Sequence, residues 1–296
     1  MKKTIVIILN FLVHFKVLKP IHIACLKHFY KFHSWPNYES PKDLNEKINW
    51  IKFYGDTSRW AELADKYKVR SYIAEKGYSD ILVKLYGKWD KAEDIDWELL
   101  PKRFVLKVNN GCGDILICND KNTLDKDKVV KKYAELLKKR YGVVTAEPHY
   151  AAIKPCIIAE ELLDANQQAN SSTSLIDYKI WCINGKPYFT WCAWNRHGAC
   201  SAECGIYDLE WKYRPEFSVF TDHYFEGKER LNKPQNLEKM YEIASNLSAD
   251  FPILRVDLYE VNNKIYFGEL TFTPLGGYID YLKPEILRKI GEVVKL

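Results

Sequence analysis

Two carboxylates late in the sequence carry the strongest chemical signal. Asp257 lies within Arg255-Val-Asp-Leu-Tyr259, and Glu269 within Ile265-Tyr-Phe-Gly-Glu-Leu-Thr-Phe-Thr-Pro274. Both runs are otherwise largely apolar or aromatic and meet at Asn262-Asn263, which reads as a β-hairpin. An acid in such a strand is costly to bury unless a positive group compensates it. A hard cation such as Mg²⁺, held by oxygen ligands, is an economical compensation. Register decides whether the acids meet. A two-residue turn with unbroken pairing sets Asp257 opposite Gly268 and sends Glu269 to the other face. A bulged three-residue connection (Asn262, Asn263, Lys264) pairs Asp257 with Glu269 and Arg255 with Thr271. The second register keeps charge away from Val256, Leu258 and Leu270, and is the one expected. The alternative is an edge hairpin whose acids face water.

The elements around this hairpin alternate between strand pairs and helices. Ser40-Pro41-Lys42-Asp43 opens a helix over 44–54, with Leu44, Ile48 and Ile51 at helical spacing. A second helix is expected over 59–76, ended by Gly77. Strands are expected over 81–86, 103–108, 115–118 and 157–163. Asn184-Gly185 is a strong hairpin turn between strands at 178–183 and 188–194. Helices over 125–141, 237–247 and 284–294 complete the pattern, which argues α+β and not a doubly wound parallel sheet.

Composition bounds the function. With 296 residues, 47% of them hydrophobic, the chain can bury a real core in about two lobes. The net charge of +5 is spread without a long Arg or Lys block, which argues against a nucleic-acid partner and suits an anionic small ligand or membrane surface. The eight cysteines include no CxxC pair. Cys200 and Cys204 alone do not complete a zinc site, so reduced cytosolic thiols are expected. Lys2-Lys3 and the apolar run over 5–13 resemble a signal peptide, but the run is too short to span a membrane and no clear cleavage site follows. Through Phe32 the pattern fits an amphipathic helix that either lies on a membrane face or packs on the body. The expected divisions are an arm over 1–39, a first lobe over 40–155 and a second over 156–296.

Lys107 ends a strand just before Asn109-Asn110-Gly-Cys-Gly-Asp114. A glycine-bearing turn exposes backbone N–H groups that can cup phosphate oxygens, and the lysine adds charge for them. The order Leu63-Ala-Asp-Lys-Tyr-Lys-Val-Arg70, Phe104-Val-Leu-Lys-Val-Asn-Asn-Gly111, Ile158-Ala-Glu-Glu161, Asp177-Tyr-Lys-Ile-Trp-Cys-Ile-Asn-Gly-Lys-Pro187, Ile206-Tyr-Asp-Leu-Glu-Trp211 and Phe251-Pro-Ile-Leu-Arg-Val-Asp-Leu-Tyr259, closed by Gly268-Glu-Leu-Thr-Phe-Thr-Pro274, resembles the ATP-grasp superfamily. The likeness is greatest to its branch in teichuronopeptide and other cell-surface polysaccharide synthesis, and it runs from about residue 40 onward.

The resemblance implies ATP gripped between two α+β lobes. Lys66 would fall in the early Asp-Lys element. Lys107 would touch the α- and β-phosphates, and Gly111 and Gly113 would form the lid. The backbone of Glu160, Glu161 and Leu162 would serve the adenine edge. Asp177 would take ribose hydroxyls and Lys179 a phosphate, or each would stand in a plain cross-strand ion pair. Asp257 and Glu269 would hold Mg²⁺, with Thr271 where most superfamily members place asparagine. The lid departs from the family's pattern at Asn110, Cys112 and Asp114. An acid there repels phosphate unless it points outward or finds a cation.

The implied chemistry is ATP-dependent joining of a carboxylate to an amine through an acyl phosphate. Arg255 would steady the phosphoryl group or the oxyanion, and Arg196 would meet the acceptor's carboxylate. The expected partners are an amine and a sugar acid or amino sugar, small or lipid-linked. The expected location is the cytoplasm, with peripheral contact at the inner membrane face. Two rivals stand beside this reading. One is a glycosyltransferase, supported by Asp94-Ile-Asp96, which also reads as a capped turn. The other is a non-catalytic glycan- or membrane-binding protein on a degenerate nucleotide fold.

Overall fold

A computed structural model describes residues 19–296, apart from 112, 144 and 198–200. Two sheets organise it. The first has strand order β1-β4-β2-β3, with β1 at Leu85–Trp89, β2 at Phe104–Val108, β3 at Ile115–Cys118 and β4 at Ile157–Glu160, all pairs antiparallel. β2 alternates strictly. Phe104, Leu106 and Val108 are buried with Val129, Tyr133 and Leu136 of a helix at Lys126–Lys138. Those helical residues recur at i, i+4 and i+7, one apolar face. The alternation turns Lys107 to the opposite side of the sheet.

The second sheet has order β10-β9-β5-β6-β7-β8. Its strands are β5 at Asp177–Ile183, β6 at Lys186–His197, β7 at Ser201–Tyr207, β8 at Tyr224–Glu226, β9 at Ile253–Val261 and β10 at Lys264–Thr271. Ile180, Cys182, Leu254, Val256, Leu258 and Leu270 are buried in one cluster with a helix at Leu237–Ser248. Period-2 alternation therefore reserves the other face for Asp177, Lys179, Arg255, Asp257, Glu269 and Thr271.

The expected pairing is present, by a different route. Asn262 and Asn263 both have positive φ, and Val261 pairs with Lys264, so the turn has two residues, not three. A type I′ turn needs two left-handed positions, and asparagine tolerates them best after glycine. The extra residue is Gly268. Phe267 still faces Leu258, the ladder then slips, and Glu269 faces Asp257 while Thr271 faces Arg255. A Cβ on Gly268 would lie 2.9 Å from the Asp257 carbonyl oxygen, so only glycine fits the bulge without movement.

Three further differences bear on the site. The helix expected over 59–76 is broken into Trp60–Leu63 and Val69–Glu75. Buried Asp65 accepts from the amides of Tyr67 and Lys68, and the Lys66 amide leaves the helical ladder for the Asn109 carbonyl. Aspartate competes with helix in this way. The strand expected over 81–86 forms at Leu85–Trp89, because β4 supplies its partner there, while Ser79–Ile81 is a 3₁₀ turn. β4 lies within the segment assigned to the second lobe, yet it hydrogen-bonds in the first sheet. Helical residues Leu44, Ile48, Leu63 and Ile73 share the second sheet's core.

A helix at Pro20–Phe32, called α1, packs on the body through Ile23, Ala24 and His28. The Tyr278 hydroxyl donates to the Ala24 carbonyl, and Lys31 meets Asp280 at 2.7 Å. The remainder of the arm's amphipathic pattern, residues 1–18, lies outside the described residues. Because the bulge sets the register, Gly268→Ala is expected to cost about 1–2 kcal/mol by overpacking. Urea denaturation measures this, and an unchanged midpoint would mean that the ladder tolerates a side chain there.

Candidate functional site

The site is built on one cross-strand row. Lys179 on β5 faces Asp257 on β9, which faces Glu269 on β10, and Arg255 and Thr271 form the adjacent pair. Asp257 is enclosed, with 1% of its side chain exposed. Arg255 grips both its oxygens, at 2.7 and 2.8 Å, and Lys179 also contacts its Oδ2. Glu269 is held more loosely and its side chain is 33% exposed. Lys66 and Arg255 each approach it at 3.5 Å, and the Thr271 hydroxyl donates to it at 3.2 Å. Burial would push the Glu269 carboxyl up, but Lys66, Lys179 and Arg255 hold it down at about 2. Burial would lower the Arg255 guanidinium, yet Asp257 drives it further above its usual range.

Asp177 extends the cluster. Lys179 lies 3.3 Å from one of its oxygens and Arg196 bonds the other. Burial would raise its carboxyl; the two cations outweigh that and hold it at about 2. Asp177 and Lys179 thus each stand in a cross-strand ion pair, with Arg196 and Asp257 respectively, and also contact each other along β5.

The break at Asp65 aims Lys66 between the two sheets. Its ammonium donates to the Gly111 carbonyl at 2.6 Å while approaching Glu269, and its side chain is only 12% exposed. One lysine therefore ties the lid's root to the hairpin. Lys107 lies 2.6 Å from Glu160, which Arg70 also approaches at 3.4 Å. At the hinge, the Glu161 amide already donates to the Lys84 carbonyl, so an adenine ring there needs another donor, and Leu162 is the next residue.

The lid root is fixed and its tip is glycine-dependent. Buried Asn109 exchanges hydrogen bonds with Cys156 and donates to the Lys154 carbonyl. Gly111 and Gly113 have φ of +74° and +95°, and a Cβ at Gly111 would strike the Tyr141 ring. Asp114 has found its cation, Lys139, at 2.9 Å. Cys112 lies outside the described residues.

Other signals stay apart. Asp94 and Asp96 are exposed in a turn where Asp96 accepts from the Glu98 amide. Cys204 is a buried free thiol, and Cys200 lies outside the described residues. Among the described residues, no helix is long and apolar enough to cross a membrane. Asp65 and Arg70, both within the segment 63–70, take part in the site without having been assigned a role from residue type. Their signal is an acid interrupting a helical pattern and a basic residue five positions later, where the helix resumes.

The donor set suits a hard cation. Asp257, Glu269 and Thr271 offer only oxygen, and Glu269 is open enough to accept one. Asp257 must first release Lys179 or one arm of Arg255. Among the described residues, no three His, Cys, Asp or Glu side chains form a metal cage, so further ligands would come from the nucleotide or water.

A carboxyl whose pKa is depressed by folding stabilises the fold above its unfolded pKa, and that contribution is lost as pH falls through the folded value. For Asp177 the window runs from its ordinary 3.8 down to about 2. The melting temperature of the ligand-free protein is expected to fall across that window. Asp177→Asn is expected to flatten the fall and to cost about 2–4 kcal/mol near neutrality, because it leaves Lys179 and Arg196 short of a counter-charge. An unchanged pH–melting profile would contradict the assignment.

The family model for TupA-like ATPgrasp matches residues 46–295. Comparison with curated proteins found no relative. The D-alanine–D-alanine ligase of Bacillus anthracis, solved with ATP, is 14% identical over 79% of this chain and 65% of its own, with a TM-score of 0.47. The corresponding enzyme of Helicobacter pylori is 11% identical over 85% and 67%, with a TM-score of 0.44. The L-amino acid ligase of Bacillus licheniformis is 14% identical over 71% and 40%, with a TM-score of 0.40. The chain thus spans at most about two thirds of these proteins, and at such TM-scores the weight rests on the family match. That match covers most of the molecule, including both sheets and the acid hairpin, so the chain belongs to the TupA-like ATP-grasp family.

Proposed function

We propose that the protein is an ATP- and Mg²⁺-dependent carboxylate–amine ligase acting on a sugar acid or amino sugar of a cell-surface polysaccharide in the cytoplasm. The observation that carries this reading is the row Lys179–Asp257–Glu269, with Arg255 and Lys66 in contact with its acids. Phosphate oxygens are natural partners for these cations. Binding a triphosphate would exchange carboxylate partners for phosphate partners, freeing Asp257 and Glu269 to face a divalent ion.

When bound, Mg²⁺ would neutralise charge on the β- and γ-phosphates. The protein's own groups supply the rest. Lys107 and Lys179 hold phosphates, and the backbone at Glu160–Leu162 meets the adenine edge. The substrate carboxylate oxygen attacks the γ-phosphorus, the bond to the β-phosphate oxygen breaks and ADP leaves. The amine nitrogen then attacks the acyl carbon, phosphate departs and the nitrogen loses a proton. Arg255 steadies the phosphoryl group and then the oxyanion, because its donors are fixed before reaction and shielded from water. Arg196 meets the carboxylate of the incoming partner. Asp114, neutralised by Lys139, does not oppose the approach of phosphate.

Two measurements test this. Mg-ATP is expected to stabilise the protein by about 2–3 kcal/mol at a hundredfold excess over its dissociation constant. ADP and phosphate should form only when sugar acid and amine are both supplied. Absence of any thermal shift at millimolar ATP would favour a non-catalytic role, and UDP release from a nucleotide sugar would favour a glycosyltransferase. Glu269→Gln, at the more open acid, is expected to lower turnover by about 10²–10³-fold with the fold intact. Asp94→Asn with Asp96→Asn should leave turnover unchanged. The reverse pattern in steady-state assays would move the metal to the DxD turn.

A further inference from the structure

We infer that the outer face of α1, together with Trp35, docks on an anionic lipid surface. This stands apart from the ligase reading, since it concerns the far side of a helix that takes no part in the row of charges. α1 has two apolar sides. Ile23, Ala24 and His28 are spent on the body. Leu26, Phe29 and Tyr30, spaced i, i+3 and i+4, emerge on the other side, where Tyr30 is 68% and Trp35 62% exposed. The Phe29 and Trp35 rings stack at 4.7 Å, so the aromatic surface is continuous across the helix C-terminus. Exposed apolar surface gathered in one patch marks an interaction site, whereas scattered single residues do not.

Charge selects the occupant. From Met1 to Tyr38 there are six lysines and no Asp or Glu; the first acid is Glu39. Lys31 is used inward on Asp280 and Lys27 lies over the Tyr278 ring, but Lys19, at the helix N-terminus, is exposed. Aromatic and aliphatic residues flanked by lysines are the composition of an interfacial helix, and each basic residue near an anionic leaflet adds to the attraction. Two copies of a segment this basic would repel across the same patch. The sequence that precedes the helix, outside the described residues, contains the apolar run 5–13 and Lys2, Lys3 and Lys16. Inside, α1 holds Tyr278, seven residues after Thr271, so docking would set the segment beyond the acid hairpin close to the bilayer.

Sedimentation of the full chain with vesicles tests this. Binding is expected to vesicles of phosphatidylglycerol with phosphatidylcholine, to weaken as salt rises, and to be small on phosphatidylcholine alone. Phe29→Ser with Trp35→Ser should weaken it by about tenfold or more, since burial of those rings supplies the apolar part. The melting temperature of that variant should match the parent's. Should it not fold, Leu26→Ser with Tyr30→Ser takes its place with the same expectation. Equal partition of parent and variant would overturn the inference, because residues 1–18 would then carry the affinity. So would absence of binding to the anionic vesicles, or a dimer in solution that the double substitution splits.

Discussion

The site depends on keeping four buried or half-buried charges within reach of one another across three strands. Asp257, Lys179, Arg255 and Glu269 sit on the sheet face that does not meet the main helix, and Asp257 is the counter-charge that Arg255 and Lys179 share. Such pairs are weak sources of stability relative to apolar packing, yet costly to break singly. They are a poor choice for a site whose only task is to hold strands together. They suit a site that must accept a highly charged ligand, because each member already has an opposite charge that the ligand can replace.

Register is what brings them there. A one-residue change in the β9–β10 ladder would turn Glu269 into the packed core and Leu270 into the charged face. The bulge at Gly268 prevents this, and it does so without strain because glycine leaves the Asp257 carbonyl room. On the other side of the cleft, Asp65 breaks a helix so that Lys66 reaches both Glu269 and the carbonyl of Gly111. Lid root and acid hairpin thereby share one ammonium. A ligand that draws Lys66 away would alter both at once.

The N-terminal helix adds a second layer to this arrangement. It packs against Tyr278 and Asp280, close in sequence to the hairpin, and leaves a separate aromatic face outward.

Much was legible from residues alone. The acid pair, the Asn184-Gly185 turn, the helix at Leu44–Tyr54 and the α+β class followed from alternation, helical spacing and turn chemistry, all of which act over a few residues. The pairing of Asp257 with Glu269 followed from the cost of burying charge, although the position of the extra residue did not. What needed the folded molecule were the choices made between distant segments: Lys66 on Gly111, Arg70 and Lys107 on one Glu160, β4 in the first sheet and the engaged Glu161 amide. Local patterns fix which face of an element is polar. Only the packing of elements far apart in sequence decides which charge lies opposite it, because that partner is set by chain topology and not by any neighbour along the chain.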